Sequence, residues 1–220
     1  MAGKPTLWLD TSTMDTSLAL VDGDQTLAQR TAEASALDFI FEELADMFLE
    51  TGVRFPDIES IHYVCGPGSS LGLRIACMAL SSWKTAFPSL ELRAAHTLPI
   101  YAALHAQEPG SPKEFQLLAQ HRKDTWYHIQ STQECLTKMN ALGDGQVAQL
   151  EGNLYHLRQR KFATPPPPGS QPLQPNLKAL PAVLQDETLF QTVENPTVFP
   201  ETTPTFKKWI PQRHKKAVSN

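Results

Sequence analysis

The sequence predicts an α/β fold in two lobes with mixed sheets, the second lobe reduced, and three observations carry that expectation. Stretches with strand period and helix period alternate through the first half of the chain; a glycine-rich turn, Gly66-Pro67-Gly68-Ser69-Ser70-Leu71-Gly72, stands between a strand and a helix; and the chain breaks at Glu108-Pro109-Gly110-Ser111-Pro112 before strand patterns restart. The expected units are an N-terminal lobe over 1–107, a second lobe with a proline-rich segment over 108–205, and a basic tail over 206–220.

The elements follow in order. Leu7-Trp8-Leu9 starts a strand, Ser17 to Val21 makes a second, and Asp22-Gly23 signals a hairpin into Gln25 to Arg30. From Ala36 to Leu49 the residues Leu37, Ile40, Phe41, Leu44, Met47 and Phe48 form the apolar stripe of an amphipathic helix, and Gly52 marks its end. Ile61 to Cys65 is apolar, β-branched and aromatic enough for a buried strand. After the glycine turn a helix is expected from Leu71 to Phe87, its stripe Leu73, Ala76, Cys77, Leu80, Trp83 and Phe87. Next come a strand over Leu90 to Ala94 and a helix from Thr97 to Gln107, with Thr97 as cap and Pro99 in the first turn. Past the break, Phe115 to Ala119 and Trp126 to Gln130 read as a strand pair. Pro165 to Pro168 and the prolines up to Pro181 exclude helix and central strand, leaving an extended spacer or a docking segment for a proline-recognition module.

Composition bounds the function. With 41% hydrophobic residues in 220 the chain buries a normal core. No apolar run approaches the ~20 residues of a membrane helix, and Met1 to Pro5 leads straight into a strand, so a cytoplasmic location without membrane contact is expected. Cys65, Cys77 and Cys135 are too few and too scattered for a disulfide framework or a zinc site, and read as buried thiols. The net charge is −4, but Lys207, Lys208, Arg213, Lys215 and Lys216 place +5 on the last fourteen residues, so the remainder carries −9. Such a tail contacts RNA phosphates or is a solvated end. The histidines show no metal-ligand spacing, and no Ser-His-Asp set can be assembled from the sequence.

The glycine turn is the candidate site. Gly66 and Gly68 permit close backbone approach and Ser69 or Ser70 can cap the helix, whose start is a ready anion site. No Lys-Ser/Thr closes a P-loop, and the spacing G-x-G-x-x-x-G is one residue too long for the dinucleotide fingerprint. A phosphate site and a plain tight connection are both open. Asp10, ending the first strand before Thr11, is a candidate to cap its own turn. On the helix after the turn, Ile75, Met78, Ala79 and Ala86 form a second apolar strip opposite the first, and Phe39 lies off the stripe of its own helix. A helix apolar on two sides is covered on two sides. With Ser82, which permits close approach, these residues await either the other lobe or another chain.

Val64 to Ile75 resembles the Gly-Pro-Gly-Ser-Phe-Thr-Gly-Leu/Val-Arg-Ile-Gly signature of the TsaB (YeaZ) family. Leu7 to Thr13 is similar to that family's opening strand and Asp-Thr-Ala/Ser-Thr. Ala95-His96-Thr97-Leu98 stands at its Val-Ser/Thr-Thr-Leu, and Pro196 to Pro200 with Phe206-Lys207-Lys208-Trp209 resembles its Pro-Val-Tyr-Leu-Arg ending. The resemblance is strong to about residue 105 and thin afterwards. It implies the fold of the superfamily of actin, the heat-shock ATPases and the sugar kinases (RNase H-like), whose first lobe has the strand and helix order read above. It also implies a supporting role in threonylcarbamoyladenosine modification of tRNA. The partner would be a TsaD homologue, docked on the helices that carry Phe39, Ile75, Met78, Ala79 and Ser82, with TsaE as a further candidate and a homodimer when alone. ATP or ADP with magnesium, at Asp10, Thr11, Gly66, Gly68 and Ser69 or at a partner interface, is the cofactor this leaves open. Several departures point away from autonomous catalysis. No glycine follows Asp10 in the opening turn, Gln120 stands for the family's Asp, Asp124-Thr125 for its Gly-Glu, Ser35-Ala36 for its His, and Glu42 for its Pro, while Arg122 and Tyr127 are kept. The expectation is a non-catalytic subunit, against an ATPase or small-molecule kinase of the same superfamily, or a self-associating pseudoenzyme.

Overall fold

The computed structural model describes residues 4–132, 138–159 and 165–199; the readings of Cys135, Pro200 and the basic tail lie outside these residues. Three antiparallel strands open the chain, β1 (Thr6–Asp10), β2 (Thr16–Asp22) and β3 (Gln25–Ala32). The hairpin turns through Gly23, at φ +60°, and Asp24. Helix α1 (Ala36–Thr51) closes on Gly52, a left-handed residue whose N–H donates to the Phe48 carbonyl at 2.9 Å. Strand β4 (Ser60–Gly66) is buried throughout and runs parallel to β1. Helix α2 (Ser70–Ala86) follows the glycine turn, with the Ser69 hydroxyl accepting from the Gly72 amide. Then come β5 (Glu91–His96), parallel to β4, and α3 (Thr97–Ala106).

The second lobe is built on β6 (Phe115–Arg122) and β7 (Thr125–Ser131), an antiparallel pair as expected, extended by β8 (Asn140–Gly143). After the short helix α4 (Asp144–Val147), strand β9 (Leu154–Leu157) pairs parallel to β6, and β10 (Gln171–Leu173) pairs parallel to β9. Helix α5 (Leu180–Leu184) and β11 (Gln191–Val193) complete the described elements. One sheet has the order β11-β5-β4-β1-β2-β3 and the other β10-β9-β6-β7-β8. The mixed two-lobed α/β fold is therefore the one expected.

Four readings need correction. The chain does not stay in the second lobe up to 205, because β11 crosses back and pairs antiparallel with β5 at the edge of the first sheet. Pro181 is not in an extended spacer; it occupies the first turn of α5, where its missing N–H costs no hydrogen bond, and Pro172 lies on the edge strand β10. Thr97 does not cap α3 but is its first residue, and its hydroxyl donates to the Pro67 carbonyl at 2.7 Å, tying the helix to the glycine turn. The stripe of α1 is rolled to its other flank: Ala36, Phe39, Ile40, Leu44 and Met47 are buried, whereas Leu37 and Phe41 are 52% and 47% exposed. Burying either phenylalanine gains about 1.5–3 kcal/mol; the position of α1 on the sheet chooses between them.

The cores explain the layers. Side chains of α1 and α2 fill one cluster on one face of the first sheet, with Leu9, Ile40, Met47, Ile61 and Leu80 in it. Helix α3 fills another, between the two sheets: Leu98, Ile100, Ala102 and Leu104 are fully covered, and the helix packs on β4 and β5 on one side and β6 and β7 on the other. A helix apolar all round is a buried helix, and α3 is the hinge pin on which both lobes are mounted.

Candidate functional site

The residues singled out in the sequence at the first two turns, Asp10, Thr11, Gly66, Gly68 and Ser69, do converge. Asp10 and Ser69 bond to Ser12 and Tyr101 within the fold, while the buried Thr11 Oγ1 has no hydrogen-bond partner among the described residues. The amide of Ser69, the N-cap of α2, donates to the Ser12 carbonyl at 2.6 Å. Asp10 is 2% exposed; one of its oxygens accepts from the Ser12 amide at 2.7 Å and the other from the Tyr101 hydroxyl of α3 at 2.9 Å, with Thr13 Oγ1 3.0 Å from the same hydroxyl. Burial raises the pKa of Asp10, opposed by these hydrogen bonds, and burial beside Asp10 lifts Tyr101 well above the phenol range. Asp10 thus caps its own turn and anchors it to the central helix.

The glycines serve backbone contact. A Cβ on Gly68 would stand 2.0 Å from the Ser12 carbonyl oxygen, and one on Gly72 2.4 Å from that of Thr11. Gly66, at φ +118°, admits no Cβ either, since the Phe199 carbonyl oxygen would lie 2.7 Å away, and Phe199 N–H donates to the Cys65 carbonyl at 2.7 Å. Three backbone segments are stacked at this point: the β1–β2 turn, the β4–α2 turn and residues 196–199. On its outer side the β1–β2 turn is held by Arg158, which pairs with Asp15 at 2.8 Å and accepts the Met14 amide on its carbonyl. The Asp10 oxygens and the Ser69 amide, the groups the sequence offers to a magnesium nucleotide, each hold a hydrogen bond within the fold.

An open space lies beside the stacked turns. A cleft of about 430 Å³ between the lobes is lined from the first lobe by Gly68 and Ser70 of the glycine turn and Arg74 of α2 and from the second by Gln120, His121 and Arg122 of β6 and Tyr127 of β7, with Phe199 alongside. A second cavity, of about 500 Å³, borders Cys65 and His96. Their Sγ and Nδ1 lie 3.5 Å apart, but burial pushes the Cys65 thiol up to about 11 and lowers the His96 pKa, so both are neutral and the thiol is not a nucleophile.

The residues foreseen on the helical face separate. Phe39 and Ala79 are buried in the core of their own lobe, 5% and 3% exposed, so neither presents itself to another chain; Ile75 is half-buried against that core, Ser82 is exposed, and Met78 is 71% exposed. Sequence reading placed Leu37 and Phe41 inward and did not single out Leu71, which is 71% exposed. The signal for the last was its i, i+4 and i, i+7 spacing to Ile75 and Met78. Ala36, Leu71 and Ile75 line one small cavity, which sets the first turns of α1 and α2 side by side, and Phe41 meets Trp83 edge-on at 6.2 Å. The outer face of the helix pair thus carries Leu37, Phe41, Leu71 and Met78.

Two mixed sheets on a shared central helix, with the turns after β1 and β4 stacked on each other at one end of the first sheet, define a two-lobed α/β class. Among solved structures, YeaZ from Pseudomonas aeruginosa superposes with a TM-score of 0.67 over 89% of this chain and 98% of that one, at 18% identity. A structure described as a protein with similarity to peptidase YeaZ, from the same organism, gives 0.66 over 87% and 95%, at 19% identity. The chain has the YeaZ fold. No family model matches it, and no curated protein does.

Proposed function

We propose that this chain is a TsaB-like, non-catalytic subunit that docks a TsaD homologue through the outer face of α1 and α2 and supports threonylcarbamoyladenosine formation in tRNA, in the cytoplasm. The observation that carries the reading is the exposed apolar face of that helix pair. Leu37, Phe41, Leu71 and Met78 are each about half exposed or more, on two neighbouring helices, and Leu49 of α1 is exposed as well. Exposed apolar surface gathered on two neighbouring helices marks an interaction site. The stacked turns add support, since a first lobe whose turns are tied by Ser69–Ser12 and Asp10–Tyr101 hydrogen bonds is suited to holding a shape. Such a subunit acts by stabilising the bound conformation of its partner. No described helix is long and apolar enough to cross a membrane.

The test is co-purification with a TsaD homologue. Leu71→Glu and Met78→Glu place charges on exposed positions, so the isolated protein is expected to melt within about 0.5 kcal/mol of wild type, while co-purification is lost. Retention of the partner by the double variant would sink the docking face. Sedimentation of the isolated protein reads the competing use of the same face: a dimer that both substitutions convert to monomer, with no TsaD capture by the wild type, favours self-association.

A further inference from the structure

We propose that the cleft between the lobes is a binding site for a small phosphomonoester, held by Arg74 and Arg122 without a metal ion and with a planar group lying against Tyr127 and Phe199. Charge is the first argument. Six arginines fall within the described residues, and four of them, Arg30, Arg54, Arg93 and Arg158, pair with carboxylates. The two that form no ion pair among the described residues are the two that line this cleft. Among the described residues no aspartate or glutamate lines it. Residue 120 of β6, where a carboxylate would have supplied a counterion, is a glutamine. Two guanidinium groups with no counterion among the described residues, in one concave site, call for an anion from outside.

The shape narrows the ligand. A space of about 430 Å³ is in the range of small-molecule sites. Arg74 stands on α2 of the first lobe and Arg122 on β6 of the second, so a dianion bridging them neutralises both, whereas a single carboxylate neutralises one. Tyr127 lies 5.6 Å from Phe199 and 4.3 Å from His121, ring centre to ring centre, which gives the cleft an aromatic wall for a flat group. Burial first, and then the Arg122 charge, lower the pKa of His121, so this wall is uncharged at neutral pH and the two arginines hold the positive charge. The mode differs from a magnesium-nucleotide site: the phosphate sits on the Arg74 and Arg122 side chains beside the glycine turn, whose Pro67, Gly68 and Ser70 line the same cleft and whose Ser69 amide is bonded to Ser12. It uses none of Leu37, Phe41, Leu71 or Met78, so it stands or falls apart from the docking face.

Titration calorimetry of the full chain with adenosine monophosphate and with inorganic phosphate, in buffer containing a chelator and no magnesium, tests the site. The expected result is binding of adenosine monophosphate, tighter than that of phosphate. Each of Arg74→Ala and Arg122→Ala should weaken it by about ten- to a hundredfold, the loss of one charge-assisted hydrogen bond, and Gln120→Glu should abolish it by supplying an internal counterion. Thermal melts of the unliganded variants serve as the folding control, both arginines being exposed. The proposal is overturned if neither probe binds at millimolar concentration, if binding requires magnesium, if phosphate binds as tightly as the nucleotide, or if Arg122→Ala and Gln120→Glu bind as wild type does.

Discussion

Replacing Gly68 by alanine distinguishes a glycine kept for contact between two turns from a glycine kept for a ligand. The added Cβ would stand 2.0 Å from the Ser12 carbonyl oxygen and 2.8 Å from its carbon. Both are backbone atoms, so no flexible side chain can yield, and the β1–β2 and β4–α2 turns must part by roughly 1 Å or more to restore ordinary contact. That separation breaks the 2.6 Å Ser69–Ser12 hydrogen bond. Overpacking of this kind costs about 1–3 kcal/mol, and the unpaired amide and carbonyl a further about 1–2 kcal/mol. At about 2–4 °C per kcal/mol for a chain of this size, Tm falls by about 5–15 °C. The assay is thermal and urea denaturation without any ligand. Gly145→Ala is the control, because a Cβ there meets nothing within 4 Å, and it should leave Tm unchanged or raise it slightly. A phosphate-cradling glycine in an open turn would leave the unliganded melt unaltered. A Gly68→Ala protein melting within about 1 °C of wild type would refute the stacked-turn account.

Tyr101→Phe deprives the buried Asp10 carboxyl of a donor at 2.9 Å and should destabilise the fold by about 1.5–3 kcal/mol in urea; an unchanged midpoint would mean that Asp10 is satisfied without α3. His62 is 4% exposed and packed 4.5 Å from the Phe190 ring, with Arg93 and Glu91 nearby; burial, and then Arg93, hold its pKa at about 4 against 6.5 when unfolded. Unfolding therefore takes up a proton between those values. Stability is full above about pH 6.5 and declines on acidification until pH has fallen through about 4, by about 3 kcal/mol in all. Urea midpoints measured across this range in wild type and His62→Gln check it, and parallel pH profiles would count against the assignment.

Most of the fold was legible because its signals are local. Asp22-Gly23 marks the hairpin, Gly52 ends α1, Ser69 caps α2, and the buried run before Gly66 reads as a strand whatever it pairs with. Where reading failed, the alternatives were equal within the element. On α1 the residues Ile40, Leu44 and Met47 face inward on either reading, and Phe39 and Phe41 are competing flanks of one wide stripe. Ala79 and Met78, adjacent on α2, divide between core and solvent for the same reason. The edge strand β11 has three residues and no pattern of its own; only the open edge of β5 gives it a place.

The candidate site shows the same division. Asp10, Gly66, Gly68 and Ser69 were identifiable from spacing, since a strand, a glycine turn and a helix start are local chemistry. Their use was not, because a helix-start amide can serve a phosphate or a carbonyl from a distant turn, and the choice depends on what the fold carries to within 3 Å. Arg74 and Arg122 are ordinary surface arginines in sequence, 48 positions apart. The sequence by itself determined which segments become strands, helices and turns, through propensity, period and capping. The packing of α3 between two sheets decided that the glycine turn is closed by backbone and that two unpaired charges share a cleft, because burial and ion pairing are properties of neighbours in space.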